Sequence, residues 1–274
     1  MKLVSPARRD APSSRSPSAT LLLRSVALGY LAALLVVPVG MVFYRAFEKG
    51  FGTAWDAVTT PPAQHAFFLT ITVALIAVPA NAIFGVLTAW VLAHYDFRGK
   101  RLLDVLIDLP FAVSPVVVGL ALILVWGRDG WFPSTDVIFS TPGIVLATIF
   151  VSLPFVVREV LPVLEEEGTD QEQAAATLGA RGWQVFWRIT LPTIRWGLTY
   201  GVILSTARAI GEFGAVAVVS GKIQGRTETL TLYVEDRFQS LDLTGAYAAG
   251  VVLALLGVTV LAIMTLLQRR HGRI

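Results

Sequence analysis

Residues 66–93 read AFFLTITVALIAVPANAIFGVLTAWVLA, 28 positions without one charged side chain. A helix of about 20 apolar residues crosses the hydrocarbon core of a bilayer, so this stretch predicts a transmembrane helix. Four further uncharged runs flank it: 25–44, 109–127 (beginning near Leu103), 137–157 and 243–268, of 20, 19, 21 and 26 residues. Five such runs in one chain exclude a soluble core with one or two buried helices. The expected fold is an all-α integral membrane protein.

Composition agrees. The 274 residues are 55% hydrophobic and 15% charged, where soluble domains hold roughly 45–50% and 25%. Mean hydropathy is +0.68. The net charge of +3 does not point to nucleic acid. Without cysteine there is no disulfide framework, thiolate metal site or cysteine nucleophile. His65, His94 and His271 stand at run ends without metal-ligand spacing, and no serine–histidine–acid arrangement can be placed. Residues 1–24, rich in Ser, Pro and Arg, read as a disordered tail, and the run that follows as a retained first span rather than a signal peptide.

The region 196–221 is long and apolar but carries Arg208 and Glu212. Charge inside a bilayer is costly, so topology must decide. With six spans and an inward N-terminus, the inward segments hold fifteen Lys and Arg residues and the outward loops six, with Arg208 itself in a span. That is the positive-inside bias. Five spans would put Arg269, Arg270 and Arg273 outside. Six transmembrane helices, with both termini cytoplasmic, are expected.

The longest inward segment, 158–195, has a sequence pattern of its own. Thr169 or Asp170 can cap a helix with an acidic first turn, Glu172 or Gln173 reaching back as in a capping box. Gly179 supplies a left-handed residue that ends it. A second short helix fits 182–189, exposing Trp183, Phe186, Trp187 and Ile189, and Pro192 is expected to stop it before the next span. Two short helices with outward aromatics make a knob, or an amphipathic hairpin lying on lipid.

The order Gln173-Ala174-Ala175, Gly179, Ile189, Leu191-Pro192 resembles the E-A-A-x₃-G-x₉-I-x-L-P loop of ABC-importer permeases, with Gln173 at the position of the family's Glu. The resemblance spans 66–267, with 163–195 as the coupling loop, and leaves the tail and first span outside. It implies the type I ABC importer permease fold and a loop that docks on a separate cytoplasmic ABC ATPase dimer. This chain has no Gly-x₄-Gly-Lys-Ser/Thr loop, so no bound cofactor is expected on it, with ATP and magnesium on the ATPase. Segments 108–119 and 207–215, with 154–159 and 221–224, are similar to sulfate and molybdate permeases, closest to the W-type sulfate/thiosulfate permeases. That resemblance implies a bacterial inner-membrane subunit working with a related T-type permease and a periplasmic sulfate-binding protein. Molybdate or tungstate import, or an ion-coupled secondary oxyanion carrier, are the alternatives. A secondary carrier would have no use for the knob.

Two candidates follow for the substrate path. Arg208 and Glu212, four apart, are expected to pair on one helix face, either as a structural ion pair or with Arg208 on the oxyanion path. Pro110 and Pro115 should kink or break the third span. A half-helix N-terminus with the Ser114 hydroxyl can offer donors to an anion, or the kink serves only packing. Asp104 and Asp108 are expected to face water. Pro38, Pro79, Pro142 and Pro154 are read as kinks.

Overall fold

The computed structural model describes residues 17–132 and 137–271, and among them every regular element is helical. Helix α1 (Pro17–Leu31) runs through a π-helical turn, Ala32–Val36, into α2 (Val37–Phe47). The helix therefore starts inside the expected tail, because Ala19 and the leucines at 21–23 are good helix formers and extending a helix needs no new nucleus. Met1–Ser16 lie outside the described residues. The short α3 (Phe51–Val58) precedes α4 (Pro61–His94), which opens on two prolines at positions that need no N–H donor and continues through Pro79.

The third span is broken. Helix α5 (Lys100–Ala112) and α6 (Pro115–Trp126) meet at a bend of 115°. Pro115 disfavours a helical Ser114 and cannot donate to the preceding turn. Val113 and Ser114 are accordingly extended. Pro110, by contrast, is buried within α5 and breaks nothing. Each half is about 20 Å long or less, short of a hydrocarbon core.

Helix α7 (Thr141–Glu167) starts with Pro142 in its first turn, so that proline begins the helix rather than kinking it, and the helix runs about three turns past the apolar run. Next come α8 (Asp170–Thr177) and α9 (Gly182–Val185). A π-helical turn, Phe186–Thr190, then leads without a stop into α10 (Leu191–Ile210). Pro192 does not end that helix. The Leu191 N–H reaches back five residues to Phe186 O, and the widened turn accommodates the proline that follows. After α11 (Gly214–Val219) and α12 (Leu230–Gln239) comes α13 (Leu243–His271), preceded by Asp242, whose carboxylate accepts the Gly245 N–H at 3.0 Å.

Among the described residues, four helices are long and apolar enough to cross a membrane: Leu23–Phe47, Pro61–His94, Thr141–Glu167 and Leu243–Ile263. The bent α5–α6 pair makes a fifth if it is one span. Helices α4, α7 and α10 form the centre, meeting in a cluster that includes Val86, Val156, Val160, Leu164 and Ile194. Glycines allow the close approach: a Cβ on Gly197 would lie 2.5 Å from Glu159 O, and one on Gly201 2.8 Å from Val156 Cα. Buried Asn81 donates to Ser152 Oγ at 2.8 Å and stands 3.5 Å from Ser205 Oγ, joining the three helices through a polar contact. The first helix is peripheral, with none of its apolar window buried.

Between α11 and α12, Glu228 is 2% exposed, with Oε2 unpartnered among the described residues. Burial, then Asp236, push its carboxyl from 4.5 up to about 7 against the pull of Arg237 and His65. The folded state thus holds a proton that the unfolded chain releases. This stabilisation is complete below the unfolded value and is lost as pH rises through about 7. The unfolding temperature should fall across that window, and Glu228→Gln should flatten the fall in a pH series of thermal melts.

Candidate functional site

The knob is built from α8, the Gly179 turn, α9 and the π turn. Thr169 precedes α8, and the Gln173 amide reaches back to its hydroxyl at 2.8 Å rather than to backbone. Gly179 has φ +86° in open space, and Ala180 N–H returns to Ala175 O at 3.0 Å, so the helix ends through a left-handed glycine. Gln184 accepts the Arg181 N–H at 2.9 Å and opens α9. Neither α8 nor α9 buries a residue. Gln173, Ala174, Gly179 and Pro192 are exposed, while Ala175, Ile189 and Leu191 are half-buried. Leu178 is 89% and Trp183 71% exposed, and Trp183 meets Trp187 edge to face at 5.2 Å. These helix ends and apolar side chains are an uncovered edge rather than part of a core.

The carboxylate that fastens this knob is Glu172, next to the motif position taken by Gln173. One Glu172 oxygen lies 2.9 Å from His94 Nε2 at the end of α4; the other accepts the Thr190 hydroxyl at 2.5 Å. These side chains wall a cavity of about 350 Å³ with Trp90, Gln173 and Phe186.

The second candidate region lies where two helices are interrupted. The 196–221 stretch is not one helix: α10 ends at Ile210 and α11 begins at Gly214. Arg208 and Glu212 do pair, but Glu212 has left the helix. Its side chain is 1% exposed, and its other oxygen accepts the Ala215 N–H at 2.9 Å. Thr231 of α12 donates to the Glu212 carbonyl at 2.8 Å. The α5–α6 break lies alongside, since a Cβ on Gly214 would stand 2.9 Å from Pro115 Cβ. Gly119 packs α6 as closely on Ala215 and Val218. The fold thus brings Ser114, Pro115 and the Arg208–Glu212 pair into one region, with Ser114 exposed and Arg208 half-buried. No side chain caps α6, which leaves N–H donors at its first turn.

Asp104 and Asp108 do not simply face water. Both bind Arg158 of α7, at 2.8 Å from Asp104 Oδ1 and at 2.7 and 2.5 Å from the Asp108 oxygens. They bolt the first half of the broken span to the central helix. Phe111 adds an edge-to-face contact with Phe155 at 5.2 Å.

The described residues thus form a bundle with a bent helix pair and an exposed two-helix knob. The chain belongs to the family described as binding-protein-dependent transport system inner membrane component, which matches residues 82–273. It is a multi-pass membrane protein. It is 52% identical over 257 residues to the sulfate transport system permease protein CysW of Synechocystis sp., covering 92% of this chain and 93% of that protein. Against CysW of Escherichia coli identity is 47% over 245 residues, covering 87% and 84%. Among solved structures, a chain of the bacterial alginate ABC transporter in complex with alginate pentasaccharide-bound periplasmic protein superposes with a TM-score of 0.76. The two chains are 17% identical, covering 93% of this chain and 96% of that one, which speaks for the fold alone.

Proposed function

We propose that this chain is the membrane-spanning permease subunit of an ATP-driven importer that carries sulfate or thiosulfate across a bacterial inner membrane. Membership of the transport family and near-full-length similarity to proteins named as sulfate permeases support the substrate class. The observation that carries the mechanism is the knob, whose apolar edge at Leu178, Trp183 and Trp187 is uncovered where the sequence follows the importer loop pattern.

In this reading six spans cross the membrane, formed by α1–α2, α4, α5–α6, α7, α10–α11 and α13, with both termini in the cytoplasm. The distribution of basic residues supports it. The knob docks on a cytoplasmic ABC ATPase dimer, which binds ATP and magnesium. A related second permease completes the path, and a periplasmic binding protein delivers the anion. Arg208, Ser114 and the free donors of α6 meet the dianion as it loses water. Glu212 tempers the attraction of Arg208, so that the ion is released rather than trapped.

Gly179→Pro tests the docking. Proline cannot adopt φ +86° and removes the N–H that bonds Ala176 O at 3.0 Å. The variant should insert normally, and binding-protein-stimulated ATP hydrolysis by the complex should fall to the unstimulated rate. Full stimulation would contradict docking through this knob.

A further inference from the structure

We propose that Glu172 is the positioning residue that couples the knob to the spans, acting as a clasp between α8, the end of α4 and the entry to α10. The inference rests on the docking reading above and adds how a movement of the knob leaves it.

Helix α8 has little else to hold it. Neither α8 nor α9 buries a residue, and the apolar hold on the knob comes from Phe186 of the π turn, packed against the central cluster. The attachment of α8 itself is polar and local. Glu172 is 19% exposed at its side chain and His94 11%, while Thr190 is 3% exposed. Partial removal from water strengthens a charge-assisted contact relative to a surface ion pair. The His94 ring is held in its turn: Nδ1 lies 3.1 Å from Trp90 O, and the ring rests against the Trp90 indole at 5.1 Å. With both ring nitrogens facing acceptors, the histidine meets Glu172 in one orientation.

The three anchored elements lead to different places. His94 is the last residue of α4, the helix that carries Asn81 to Ser152 of α7. Thr190 ends the π turn that enters α10, and α10 leads to Arg208 and the break at Glu212. A displacement of α8 therefore pulls on two central helices through one carboxylate. Gln173, exposed and with a side chain bonded among the described residues only to Thr169 of its own turn, has no such reach. The carboxylate one position earlier in the chain does that work.

The test uses the whole complex of permease pair, ATPase and binding protein in proteoliposomes, with radiolabelled sulfate. Uptake and ATP hydrolysis are measured in the same sample. Glu172→Gln keeps an acceptor for Thr190 but loses the carboxylate that faces His94, and His94→Ala removes the other partner. Both should retain the ATPase and its hydrolysis while uptake per ATP falls about ten-fold, within the usual range of coupling between sites. His94→Lys should restore most of it by returning a donor to the Glu172 carboxylate, and Thr190→Val should fall between. An unchanged ratio in Glu172→Gln would overturn the clasp and leave docking intact. Loss of the ATPase from the Glu172→Gln complex would also overturn it, by making Glu172 an assembly contact. Failure of the unaltered chain to hold the ATPase would overturn the docking reading itself, and the clasp with it.

Discussion

Arg208→Gln should abolish sulfate uptake. The substitution leaves the Glu212 carboxylate 1% exposed with one remaining donor, the Ala215 N–H. Removing one partner of a buried pair typically costs about 3–5 kcal/mol, so less protein should reach the membrane. Loss of uptake alone would not separate a structural pair from a substrate contact. The double variant Arg208→Gln/Glu212→Gln does. With both charges gone no ion is stranded, and abundance should recover. If Arg208 meets the anion, uptake stays absent in the recovered protein; restored uptake would reduce the pair to a fastener of the helix break. Abundance in isolated membranes and uptake per milligram of subunit are the two readings needed.

Gly197→Val should prevent the bundle from forming. A Cβ at this position would sit 2.5 Å from Glu159 O and 3.1 Å from Val163 Cγ2. The nearer atom is backbone of the central helix, so no rotamer change relieves it. Overpacking typically costs about 1–3 kcal/mol, and a fixed carbonyl puts this position at or above the upper end. The expected result is near-complete loss of full-length protein from the membrane fraction. Gly179→Ala is the control: its Cβ meets nothing within 4 Å, so only the positive φ is strained, at about 1–2 kcal/mol. It should leave abundance almost unchanged.

The four long apolar helices are legible in the sequence because their signal is length and the absence of charge, which needs no knowledge of neighbours. The Pro115 break is legible for the same reason, since it follows from one ring and its effect on Ser114. Other features depend on partners far along the chain. Nothing local says that Glu172 meets His94, 78 residues away, or that Arg158 gathers Asp104 and Asp108. The lone amide of Asn81 within an uncharged run was a signal of a polar contact, but not of its partners on α7 and α10. The π turn before Pro192 also escapes a reading based on helical period, which takes a proline as an end rather than a widened turn. Likewise, the spacing of Arg208 and Glu212 indicates a pair on a helix. The structure forms the pair by ending the helix between them.

The central claim is that a separate ATPase, engaged through the knob, drives an oxyanion through this chain. The direct measurement is radiolabelled sulfate uptake into vesicles holding the purified permease complex, with and without the ATPase subunit, and with ATP or an imposed proton or sodium gradient. Uptake that requires both the ATPase and ATP, and ignores the gradients, is the predicted result. Sulfate uptake driven by an ion gradient in vesicles lacking the ATPase would contradict the account.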